Sequence, residues 1–289
     1  MIPQLGEPNL SNPTHNIVTV NMKSSFILIT ASASLLPTLT MGLVGLGWSV
    51  SNVPKSGLTD IMFPFSIAQS PHMTGYYFAQ QFQFIGQPDV GYTGLQPHPD
   101  NRSSSIIAVA FSSFINGTTT TDTDTCHYGA DAGPGVTCGV QFVGSYADPY
   151  NIEVVNVGGT TWNGTCVNAR TGCRVHVGSS ALPAGTQGIP GSQVGFVEYF
   201  PGTQPCSSLP YTSVVFGVPK TSTSGAVGSL LGAYEYGDCI GQAGFQTMKD
   251  PQGNIEVSVG FKHGAPGKLH ALLLCTYNFF YFKFFKCFL

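Results

Sequence analysis

Glu198 is the residue on which acid–base chemistry could rest. It lies in Val194-Gly195-Phe196-Val197-Glu198-Tyr199-Phe200, on the face shared by Val194, Phe196 and Phe200. A carboxylate on an apolar strand face is costly to bury unpaired, so the sequence demands a partner for it. An arginine (Arg102, Arg170 or Arg174) would make a structural ion pair. A second acid, Glu153 or Glu235, would instead make the carboxylate pair of a glycoside hydrolase. Spacing selects neither.

Other side chains suggest binding rather than turnover. Trp162, Tyr92, Tyr146, Tyr234 and Tyr236 are candidates for stacking on sugar rings, because an aromatic ring offers an apolar face with a polar rim. Asp122, Asp124 and Asp131 gather near Cys126 and Cys138. They lack the turn glycine and closing glutamate of a calcium loop, and read as a solvated acidic loop. His176 alternates outward in Arg174-Val175-His176-Val177, which gives it a surface role. No G-x-S-x-G elbow, P-loop or dinucleotide fingerprint occurs. No C-x-x-C spacing occurs either, so neither a metal nor a cofactor is expected.

The elements that must position these residues are strands. Tyr76, Phe78, Phe82 and Phe84 share one face of a period-two run, and Tyr77, Ala79, Gln81 and Gln83 share the other. Val136, Cys138, Val140 and Phe142 alternate in the same way, as do Tyr150, Ile152 and Val154. So do Ile255, Val257, Val259 and Phe261. Ile106–Phe111 is continuously apolar and fits a central strand covered on both sides. Turn clusters such as Gly133-Pro134-Gly135 and Gly158-Gly159 separate the runs. The pattern predicts an all-β fold: one domain, residues 57–262, forming a jelly-roll-like antiparallel β-sandwich.

Compartment is legible too. Charged residues are only 9% of the 289, against 42% hydrophobic, which excludes a disordered chain. Eleven Lys and Arg face fourteen Asp and Glu, and residues 57–262 carry a net of −7, so nucleic acid is not an expected partner. Met22-Lys23-Ser24-Ser25 followed by apolar Phe26–Leu39 reads as a signal peptide spanning 22–42, with cleavage near Gly42. Residues 1–21 then read as an over-extended start. The aromatic tail 263–289, broken by Lys283 and Lys286, fits neither a lipid-anchor signal nor a membrane span and reads as foreign to the domain. Six cysteines remain in the domain, and proximity pairs Cys126 with Cys138, Cys166 with Cys173 and, by remainder, Cys206 with Cys239. Sequons at Asn101, Asn116 and Asn163 lie in polar stretches suited to glycosylated surface loops.

Several strings come in a familiar order. Gly75-Tyr76-Tyr77-Phe78-Ala79-Gln80-Gln81-Phe82 is followed by Gly91-Tyr92-Thr93-Gly94-Leu95-Gln96 and the apolar strand Ile106–Phe111. Gly129-Ala130-Asp131-Ala132-Gly133-Pro134-Gly135 with Cys138, and then Gly195–Phe200, close the set. Over about residues 59–200 the chain resembles the secreted family called domain of unknown function 3472. Its glycine-rich segment departs from that family's acidic residue followed by Thr-Gly, with Asp131 and Pro134 as the local equivalents. The resemblance implies secretion; the family has no established activity, so it transfers no catalytic residue.

These observations converge on a secreted, non-catalytic β-sandwich that binds carbohydrate or another extracellular surface component, such as a cell-wall glycan. The alternatives are a glycan-active hydrolase or lyase using Glu198 with a second carboxylate, and a secreted effector-like interaction protein.

Overall fold

The structure, a computed structural model, describes residues 40–262 and 283–285. Its strands are β1 (Met41–Ser51), β2 (Asp60–Ser66), β3 (Tyr76–Gln83), β4 (Val90–Pro97), β5 (Ile106–Ser113), β6 (Cys126–Ala130), β7 (Gly133–Val143) and β8 (Tyr150–Gly158). They continue with β9 (Thr161–Asn168), β10 (Arg174–Ala181), β11 (Ser192–Tyr199), β12 (Thr212–Phe216), β13 (Val227–Glu235), β14 (Gln246–Lys249), β15 (Ile255–Val259) and β16 (Lys283–Phe285). The larger sheet runs β13-β1-β11-β3-β4-β5-β7-β16, with β6 also on β7. The smaller runs β10-β9-β8-β2-β12-β15-β14. All pairings are antiparallel except that of β16 with β7. The two sheets pack face to face as the expected all-β sandwich.

Alternation decides what lies between the sheets. Tyr76, Phe78, Phe82 and Phe84 enter the core with Val136, Cys138, Val140, Phe142, Ile152 and Val154. Trp48 packs edge-on against Phe63 at 5.3 Å, joining the first strand to the facing sheet. Strand β5 is buried along its whole length for two different reasons. Ile107, Val109 and Phe111 point into the core, while Ala108, Ala110 and Ser112 are small and are roofed over on the outer face.

Three sequence expectations change here. The sandwich begins at Met41, not at residue 57, because large apolar residues interleaved with glycines make β1 a strand between β11 and β13. Met41 and Gly42, the last residues of the segment read as a signal, belong to that strand; residues 22–39 of that segment and residues 1–21 lie outside the described residues. The tail 263–289 also lies outside them, except that Lys283–Phe285 pairs with Val140–Phe142 of β7. The third change concerns cysteine. Cys126–Cys138 and Cys206–Cys239 are disulfides, but Cys166 is a buried free thiol. Register explains this. Cys126 stands directly opposite Cys138, with Cα atoms 3.9 Å apart, whereas Cys166 stands opposite Val175, two residues beyond Cys173. Cys173 is itself disulfide-bonded, not to Cys166. Of the sequons, Asn101 and Asn116 are exposed in turns, while Asn163 is half-buried inside β9 rather than in a loop.

The Cys126–Cys138 bridge packs against β10 at Gly178, where a Cβ would lie 2.4–2.5 Å from both sulfurs. Gly178→Ala therefore overpacks the contact and is expected to cost about 1–3 kcal/mol, with each kcal/mol lowering Tm by about 2–4 °C in a domain of this size. Calorimetry checks this; an unchanged Tm would show that the bridge can yield.

Candidate functional site

The outer face of the larger sheet is built as three rows of side chains running across its strands. In the middle row Gly45, Phe196, Ala79, Gly94, Ala110 and Gly139 follow one another across β1, β11, β3, β4, β5 and β7. All but Phe196 are small, so the row forms a floor. On one side of it, Gly42, Glu198 and Tyr77 align across β1, β11 and β3. On the other, Gln81, Tyr92, Ser112 and Thr137 align across β3, β4, β5 and β7. Tall residues flanking a floor of small ones lean over it. Tyr77, Tyr92 and Phe196 meet edge to face above the floor, with centroids 5.4, 5.7 and 6.0 Å apart. This cluster is separate from the main core.

Glu198 sits half-buried at the margin of the cluster. The Tyr236 hydroxyl donates to its Oε1 over 3.3 Å. Burial pushes the carboxyl up from 4.5 to about 7; the Tyr236 hydrogen bond offsets part of that rise, and the charge of Asp131 adds to it. Burial also raises the Tyr77, Tyr92 and Tyr236 hydroxyls, and the Glu198 charge raises each of them further. All three hydroxyls therefore stay protonated at neutral pH, and those of Tyr92 and Tyr236 serve as donors. The Tyr92 hydroxyl donates to Asp131 Oδ2 over 3.1 Å. The Tyr77 hydroxyl is buried and has no hydrogen-bond partner.

Asp131 reaches this face because it occupies the tip of the β6–β7 hairpin. Asp131 and Ala132 both have positive φ, 46° and 63°, the handedness a two-residue hairpin turn requires. Only Asp and Asn among non-glycine residues adopt it readily, and Ala132 does so at a cost.

The partner for Glu198 is thus neither of those expected. Arg170 pairs with Asp148 at 2.5 Å, and Arg174 with Glu153 at 2.5 Å on the other sheet, while Arg102 is exposed in the turn between β4 and β5. The Glu235 carboxylate accepts the Gly241 amide. The acid whose charge acts on Glu198 is Asp131, which the sequence had placed in an acidic loop with Asp122 and Asp124. Asp122 instead bonds the exposed His176 at 2.8 Å. Among the described residues, no group of three His, Cys, Asp or Glu could hold a metal. No helix among them is long and apolar enough to cross a membrane.

The aromatic candidates divide. Trp162 is 2% exposed and packs on Phe84 at 4.8 Å in the core, so it cannot stack on a ligand. Its alternation places it opposite the half-buried Asn163, facing inward. Tyr146 is also buried, its hydroxyl on backbone carbonyls. Tyr92, Tyr234 and Tyr236 lie on the outer face with Glu198. Sequence reasoning missed Tyr77 and Asp131 as parts of this site, although Tyr77 had been assigned to the strand face opposite the core. It also missed His72, which meets Asp100 at 2.6 Å and Ser105 at 3.5 Å. Both contacts fall on Nδ1, so this is not the two-sided relay of a catalytic triad.

No family model matches the chain, and no curated protein does. Solved structures do. A Scytalido-glutamic peptidase bound to a peptide-based transition-state analogue is similar with a TM-score of 0.42 and 10% identity, over 78% of this chain and 100% of that one. SCP-B, a member of the eqolisin family of peptidases in complex with the tripeptide Ala-Ile-His, gives a TM-score of 0.41 and 10% identity with the same coverage.

Glu198 holds its proton more tightly in the folded chain than in the unfolded one. Its stabilising contribution is therefore complete below 4.5 and lost as pH rises through about 7. Glu198→Gln, which mimics the protonated acid, should remove that decline, so the variant gains on the wild type between those limits. Urea midpoints at several pH values measure it; parallel profiles would contradict the raised pKa.

Proposed function

We propose that this protein is an extracellular acid–base hydrolase acting on a neutral glycan at the outer face of the larger sheet. The observation that carries the reading is a half-buried carboxyl held by the Tyr236 hydroxyl and pushed up to about 7 by burial and by the charge of a second, exposed acid, Asp131. Acetal hydrolysis asks for such a pair in unlike environments. Glu198, half-buried, gives its proton to the bridging oxygen as the glycosidic C–O bond breaks. The Asp131 carboxylate takes a proton from the water that adds to the anomeric carbon, and Tyr92 orients that carboxylate. Against a purely binding face stands the loss of Trp162 to the core. Secretion fits the Cys126–Cys138 and Cys206–Cys239 disulfides, which persist in oxidising compartments. Membership of the domain of unknown function 3472 family would agree with secretion and assigns no residue a role.

Laminarin, xylan and a denatured protein, each incubated with the purified chain, test the reading. Release of reducing sugar should fall as pH rises through about 7, where Glu198 loses its proton. Glu198→Gln should reduce turnover by about 10²-fold or more while the protein stays folded; Asp131→Asn should slow it as well. Sugar release unaffected by Glu198→Gln would overturn the assignment. Cleavage of the denatured protein alone would overturn the glycan.

A further inference from the structure

Strand β1 carries Gly42, Gly45 and Gly47 on the outer face of the sheet, and each makes room for a side chain arriving from β13 or just beyond it. A Cβ on Gly42 would lie 2.2 Å from Tyr236 Cε2, one on Gly45 2.6 Å from Tyr234 Cζ, and one on Gly47 2.7 Å from Leu231 Cδ1. The three side chains therefore lie down across β1 instead of standing off the sheet. One face of each rests on glycine backbone, and Tyr234 and Leu231 are still 50% and 56% exposed. The result is a flat shelf at the sheet margin. It ends at Tyr236, whose hydroxyl holds Glu198.

What the shelf accepts follows from its chemistry. Its side chains are uncharged, and the next pair outward, Ser49 and Ser229, is a hydroxyl pair 2.8 Å apart. A neutral occupant with one apolar face and a rim of hydroxyls matches it; a charged one would gain no counterion. A second observation lies on the neighbouring strand: Tyr77, in register with Glu198, carries a buried hydroxyl donor without an acceptor, a state that costs free energy until it is met.

We propose that the Tyr234 ring is a pyranose-stacking subsite that leads a glycan chain along the shelf to Glu198. This rests on the glycan-hydrolase reading, and the two can fail separately. Binding of laminarin and of xylan is measured by calorimetry in the Glu198→Gln protein, where turnover does not interfere. Adding Tyr234→Ala should weaken binding about tenfold, the scale of one aromatic stacking contact, while Tyr234→Phe keeps the ring and the affinity. In the otherwise wild-type chain, Tyr234→Ala should raise KM more than it lowers kcat. Equal affinity of the Ala and parent proteins, or no binding of either polysaccharide by any variant, overturns the subsite. Tyr234-dependent binding with no sugar release by the wild type supports the subsite and overturns hydrolysis instead.

Discussion

Everything distinctive about this sandwich turns on placing one carboxyl, Glu198, among tyrosines with no cation among the described residues to answer it. The groups that act on it are a hydroxyl, from Tyr236, and a like charge, from Asp131. Burial takes the carboxylate out of water and the Asp131 charge disfavours it further, while the Tyr236 hydrogen bond offsets only part of the rise, so the acid keeps its proton to about 7. An arginine in the same place would have made a stable ion pair and ended the chemistry. Two of the three arginines in the domain are committed elsewhere. Arg170 is bound to the buried Asp148, whose carboxyl it holds below the usual range, and Arg174 to Glu153.

The rest of the fold serves this placement through the size of its side chains. Gly94, Ala79, Ala110 and Gly139 keep the centre of the large sheet low, which lets Tyr77, Tyr92 and Phe196 close over it. Gly42 lets Tyr236 lie down far enough to reach Glu198. The β6–β7 hairpin brings Asp131 from the opposite side, and the Cys126–Cys138 bridge pins the base of that hairpin to the core. Closing a loop of 12 residues contributes about 3 kcal/mol by loop entropy, enough to outweigh about 1 kcal/mol of strain at a turn alanine such as Ala132.

How much of this the sequence discloses depends on whether a feature is local. Period-two runs at Tyr76–Phe84, Val136–Phe142 and Ile255–Val259 identify core strands because alternation is a property of adjacent residues; only Phe261, beyond the end of β15, escapes burial. Glu198 is legible for the same reason, as an acid on an apolar face. Its partners are not, since Asp131 and Tyr236 approach through strand order and register, which no local pattern encodes. Cys166 and Cys173 show the limit in miniature. Seven residues apart, they look like a clip, but register sets Cys166 opposite Val175. Strand β1 was hidden by its glycines, which weaken a strand signal and here serve to accommodate Leu231, Tyr234 and Tyr236.

The central claim is that Glu198 carries a proton near neutrality, and it can be read without knowing a substrate. With glutamate labelled at the side-chain carboxyl carbon, the one resonance missing from Glu198→Gln is followed through a pH titration. A midpoint close to 7 is the expected result; a midpoint at the ordinary 4.5 would mean that the tyrosine cluster does not hold the acid in its protonated form.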